Sequence, residues 1–191
     1  MYIIPEGLVA NSPVYAADVT LDGKLDDAAW TAERLAKSYR TIANGAEVTM
    51  VGFSGNYGVH LAFTIKHNRP LNEHCQGDGT QWWNYMGPEV RLGGFHYNQI
   101  TCGAWNNYTQ FCQFGYTNVA NNGGEWAYTT VYEMFVPYYE FNGGGHRTSL
   151  VVGGVFENGF TRLWGATDWT QSNNDHTTHY VTAEGIVESE Q

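Results

Sequence analysis

The run 57–67, "YGVHLAFTIKH", alternates: Val59, Leu61, Phe63 and Ile65 are apolar, and His60, Ala62, Thr64 and Lys66 fall between them. Period two with one wet face predicts an antiparallel strand laid over a core. Ahead of it, 47–53 ("EVTMVGF") is β-branched and apolar and predicts a partner strand, with Gly55-Asn56 as the turn between them. Strands are further predicted over 82–92 (broken near Gly87-Pro88), 95–101, 108–116, 126–136, 148–156 and 179–187. The connections are full of turn residues, in "GG", "NNGG", "NGGG" and "ENG". About six to ten short strands at this spacing predict an all-β fold, an antiparallel, jelly-roll-like β-sandwich.

One stretch breaks the β pattern. "LDGKLDDAAW", from Leu21 to Trp30, reads as a turn followed by one short helical turn. Asp22-Gly23 makes the turn, Asp26 is placed to cap the helix, and Asp27 sits at its positive start. Leu25 and Trp30 are expected to plug one end of the sandwich. Residues 1–17, punctuated by Pro5, Gly7 and Pro13, show no period and read as a leader or linker, leaving 18–191 as one domain.

Composition narrows the class. Gly numbers 23 and aromatic residues are 15%, which suits strands and tight turns better than helices. A net charge of −10 with nine Lys and Arg gives no basic face for phosphates, so nucleic acid is not an expected partner. No apolar run approaches the ~18 residues of a membrane span. The first 17 residues lack a basic and then apolar signal pattern, so an exported protein would carry its signal outside this sequence. Cys75, Cys102 and Cys112 have no metal-ligand spacing; one disulfide with one thiol and three thiols stand as equal readings.

Catalytic motifs are absent from the sequence: it has no G-x-S-x-G, H-E-x-x-H, Walker or Rossmann pattern. His176 and His179 lie where loop passes into strand, which turns them apart rather than onto one metal. Asp78, with Glu73 and His74 in one loop, and Asp26 offer hard oxygen ligands for calcium, with solvated loops as the plainer reading. Glu89 and Glu133 sit among apolar strand residues, where burial would raise a carboxyl pKa. What the chain has in quantity is flat rings beside short polar groups, at 82–85 ("WWNY"), 105–108 ("WNNY") and 168–174 ("DWTQSNN"). A sugar ring presents a C–H face and an equator of hydroxyls, so rings plus amides and carboxylates suit it. Trp126 and Trp164 read as core; Trp82 and Trp83, if on a strand, face opposite ways, so one indole is expected to be exposed.

With these residues in view, "VTLDGKLDDAAW" resembles the N-terminal signature of the family 9 carbohydrate-binding modules and their DOMON-like β-sandwich relatives. "YGVHLAFTIKH", "GPEVRLGG", "YEMFVPYYEF" and "WGATDWTQ…TAEGIVE" follow in the order of that family's later strands, so the similarity spans about 18–188. The resemblance implies a non-catalytic module that grips oligosaccharide or polysaccharide chain ends between two tryptophans. The resemblance also implies a larger exported or cell-surface protein with neighbouring domains. Trp83 matches the first stacking ring and Trp169, with Trp164 as the alternative, the second. Glu89 matches the polar contact, and Asn84, Arg91 and Gln81 would complete the slot. No cofactor is required, although structural calcium is common in the family. Met86 stands where the family often has Asp, and Pro88 suits an edge strand or bulge. Relatives that hold haem through His and Met make haem binding an alternative, with no specific axial pair in the sequence, though His60 and Met134 are both on predicted strands; an adhesion sandwich with no small ligand is the other alternative.

Overall fold

A computed structural model of the chain describes residues 17–71, 86–93, 96–101, 104–107, 113–138, 147–165 and 178–188, with backbone alone over 96–101 and 104–107. Within them lie one helix, α1 (Ala32–Ala36), and strands β1 (Tyr39–Ala43), β2 (Ala46–Ser54), β3 (Gly58–His67), β4 (Gly87–Leu92), β5 (His96–Thr101) and β6 (Ala104–Asn107). They continue as β7 (Gln113–Ala120), β8 (Tyr128–Pro137), β9 (Arg147–Phe156), β10 (Gly159–Trp164), β11 (His179–Thr182) and β12 (Gly185–Glu188). The first sheet has five strands in the order β1-β2-β3-β8-β7. The second runs β12-β11-β9-β4-β5-β6, with β10 joining β11 along one side of β9. Every pairing between them is antiparallel, and the molecule is an all-β sandwich. Among the described residues no helix is long and apolar enough to cross a membrane.

The core follows the alternation. Val59, Leu61, Phe63 and Ile65 of β3 face Val90 and Leu92 of β4 and Leu150, Val152 and Phe156 of β9, all fully or almost fully buried. Each such side chain is worth about 1.5–3 kcal/mol on leaving water. The opposite face of β3 departs from expectation. Thr64 and Lys66 are partly exposed, but His60 and Ala62 are buried, because a second apolar cluster covers that half of the first sheet. Trp30, Val51, Phe53, Ala62 and Phe135 form it, so Trp30 seals an outer face rather than plugging an end.

Other details depart from the pattern too. Residues 179–187 form a hairpin, β11 and β12, because Gly185 at φ +134° turns the chain inside what reads as one apolar run. Trp126 is only half-buried and precedes β8, outside the core. Pro88 lies in an interior strand, since β4 runs between β9 and β5. It is tolerated there because pairing with β5 begins one residue later, at Glu89, and the missing N–H withdraws no ladder bond on that side. The cap of α1 is Thr31, whose hydroxyl accepts from the Arg34 amide at 3.3 Å; Asp26 is exposed and does not fill that role.

Candidate functional site

The residues expected to hold sugar divide between described and undescribed parts of the chain. Trp83, Trp169, Asn84 and Gln81, with the calcium candidate Asp78, lie outside the described residues, as do Cys75, Cys102 and Cys112. Glu89 and Arg91 alternate with the core residues Val90 and Leu92, so both belong to the outer face of the second sheet. Glu89 is 3% exposed and Arg91 is intermediate. In register, Glu89 stands opposite Gly153 of β9 and Gln99 of β5, and Gln99 stands opposite Asn106 of β6. Glu89, Gln99 and Asn106 thus occupy adjacent register positions across β4, β5 and β6. Trp164, at the end of β10, packs against the inter-sheet core and meets Tyr39 edge-on at 6.4 Å. Its side chain is partly buried against that core and not enclosed in it. Among the described residues no group of three or more His, Cys, Asp or Glu is placed to hold a metal ion, and Asp26 belongs to no such group.

His60 and Met134 do not come together as axial ligands. Met134 is part of the inter-sheet core, whereas His60, opposite Phe135 in register, is on the outer face of the same sheet. One iron cannot meet both.

The best-defined polar site is the seat of the "LDGKLDDAAW" segment. Glu133 of β8 is fully buried on the outer face of the first sheet. Its Oε2 accepts from the amides of Asp22 (3.0 Å) and Gly23 (2.8 Å), and its Oε1 accepts from the Trp30 indole at 2.9 Å. Burial raises the Glu133 pKa, and the bonds from Asp22, Trp30 and Gly23 pull it partly back. Gly23 adopts φ +77°, and a Cβ there would run into Thr117 of β7; one on Gly115 would overlap the Leu21 carbonyl. Two glycines therefore let the turn lie flat on β7, and one carboxylate gathers its donors. Nothing in this arrangement presents a reactive group to solvent.

A second polar cluster adjoins it. His60 lies between the rings of Phe53 and Phe135, each 4.8 Å away and nearly parallel, and its Nε2 meets Asp18 Oδ2 at 3.2 Å. Burial drives the His60 pKa down to about 4, against the opposing pull of Asp18. Its Nδ1 is buried without a hydrogen-bond partner, which suits a bare ring nitrogen and not an N–H. The ring is therefore neutral, with Nε2 facing both the Asp18 carboxylate at 3.2 Å and the Asp18 amide at 3.3 Å. Burial also pushes up on the Asp18 carboxyl, but the Asn56 amide and His60 outweigh it, and its pKa is lowered. Past Asp18 opens a cleft of about 710 Å³, lined among others by Arg34, Phe53, Ser54, Asn56 and Tyr138. None of these stood out in sequence, because they come from three separate stretches of chain.

Comparison of the chain with protein-family models, with curated proteins and with solved structures returns no match.

Proposed function

We propose that the protein is a non-catalytic carbohydrate-binding module, similar to family 9 modules and part of a larger exported or surface protein. The observation that supports this reading is the bonding of two motifs far apart in the chain. The "LDGKLDDAAW" and "YEMFVP" segments, which carry the resemblance, meet through three hydrogen bonds to Glu133. The bonds use the Asp-Gly turn, the Trp and the Glu of those motifs, so the two segments meet in one structural unit.

In this reading the segment is scaffold and the sugar lies elsewhere, on the outer face of the second sheet. Trp83 and Trp169 would stack on the ring faces, and Asn84, Gln81 and Arg91 would bond hydroxyls. Glu89, nearly inaccessible, would act by fixing its neighbours or by becoming exposed as a ligand enters. Trp164 is left out of the slot because it packs against the core. A disaccharide of ~23 heavy atoms at ~0.3 kcal/mol each gives about −7 kcal/mol, a Kd on the order of 10 µM. Calorimetry against cello- and xylo-oligosaccharides tests the proposal. Heat with at least one sugar, lost in Trp83→Ala and Trp169→Ala, is expected; silence with every sugar refutes it.

A further inference from the structure

The 710 Å³ cleft beside Asp18 falls within the ~300–1,000 Å³ that small-molecule sites occupy. It lies at the outer face of the first sheet, and its chemistry is independent of the tryptophan slot proposed above. Its most informative group is Arg34. The guanidinium rests on the Phe53 ring, with its central carbon 4.0 Å from the ring centroid. Two donors on different edges are committed: Nε donates to the Ala183 carbonyl at 2.9 Å and Nη1 to the Ala29 carbonyl at 2.6 Å. Nη2 and the second Nη1 hydrogen have no acceptor among the described residues, and no carboxylate there pairs with Arg34. A guanidinium pinned by these two bonds and stacked on a ring presents its terminal Nη1 and Nη2 N–H groups as a fixed fork. That geometry matches the two oxygens of a carboxylate.

The rest of the lining sets the class further. Asp18 is itself satisfied by the amide and side chain of Asn56 and by His60, so it contributes charge more than open acceptors. With one cation and one anion on its wall, the cleft suits a monoanion better than a multiply charged one. The Tyr138 hydroxyl donates to the Gly55 carbonyl at 2.7 Å, and the Asn56 side chain has used one donor, on Asp18. Ser54 is buried and donates to the Val181 carbonyl at 3.3 Å, so the exposed Asn56 amide, with its second N–H and its oxygen, is the group left to pair with hydroxyls.

We propose that this cleft is a binding site for a hydroxylated monocarboxylate of monosaccharide size, a sugar acid, whose carboxylate is gripped by the open edge of Arg34. The test is titration of the ¹⁵N-labelled full chain with D-glucuronate, followed by amide shifts, with D-glucose and inorganic phosphate as controls. Saturable shifts at Gly55, Asn56 and Ala183 with glucuronate, and none there with glucose, are expected. Arg34→Gln should weaken binding roughly tenfold or more, and Trp83→Ala should leave it unchanged. Arg34 also ties α1 to the β11–β12 turn, so Arg34→Lys serves if the first variant does not fold. It keeps the charge, loses the fork, and should weaken binding several-fold. Glucuronate shifts absent or confined to other amides overturn the proposal. So do phosphate or glucose binding the cleft as well as glucuronate, and unchanged affinity in either folded variant. Loss of neutral-sugar binding in Trp83→Ala bears on the other face alone, so the two proposals fail separately.

Discussion

Lowering the pH should unload His60 in a way that can be isolated from every other titrating group. Its side chain is fully buried between two phenylalanine rings, and its pKa is lowered from 6.5 to about 4. A depressed histidine contributes stability that is complete above its unfolded pKa and is lost as pH falls from about 6.5 through about 4. At about 1.36 kcal/mol per unit, the loss between pH 7 and pH 4 is about 3 kcal/mol, a large part of a domain's ~5–15 kcal/mol. Two neighbours titrate with different signs or windows. Asp18 is held under its ordinary 3.8, so its contribution is lost mainly below pH 4. Glu133 is raised, so its protonation favours the folded state as pH falls and opposes the histidine. The comparison that separates them is urea unfolding of wild type and His60→Gln at intervals from pH 7 to 4. Glutamine keeps a donor for Asp18 and does not titrate. The difference between the two stabilities should shrink by about 3 kcal/mol across that range. Parallel curves would mean that His60 titrates in the folded protein as it does unfolded, and the argument from its burial would be wrong.

Glu133→Gln should cost about 2 kcal/mol in urea unfolding, since an amide nitrogen must face one of three inward-pointing donors. In a double-mutant cycle with Trp30→Phe, a coupling of about 1 kcal/mol or more is expected, and additivity would deny the indole bond its role. Gly115→Ala should destabilise by about 2 kcal/mol or more, read as a lowered thermal midpoint, because the new Cβ overlaps the Leu21 carbonyl. Lys66→Ala should cost under ~0.5 kcal/mol although its ammonium lies 3.2 Å from Glu47, because it is half-exposed and Arg40 still pairs with that carboxylate.

Where local pattern decides structure, the sequence is readable. β2 and β3 are plain because their inward positions repeat every second residue and a Gly-Asn turn separates them. β1 and β10 are short and have no such run, and they form because β2 and β9 present free edges to pair with. β7 reaches Ala120, beyond the 108–116 expected, because the polar residues Thr117 and Asn118 pair with β8 without needing burial on both faces. The burial of His60 was invisible for a different reason: alternation says which positions share a face, and only tertiary structure says what covers it. The same limit applies to Glu133. Its three donors lie 103 to 111 residues earlier, and no local signal connects them. The candidate site was legible only as a resource of rings and amides. Its described part, Glu89 and Arg91, alternates as expected on β4, whereas the cleft around Arg34 had no sequence trace.

The seat of the Trp30 segment also orders events in time. The segment is made early, yet its anchor Glu133 emerges about a hundred residues later and is aligned only once β8 has paired with β3. Closing so long a loop is unfavourable until that pairing exists, so docking belongs after the main barrier to folding. Interactions formed that late act on the rate of opening more than on the rate of folding. Loosening the Trp30–Glu133 contact should therefore shorten the lifetime of the folded protein while leaving the speed at which the sandwich assembles almost unchanged.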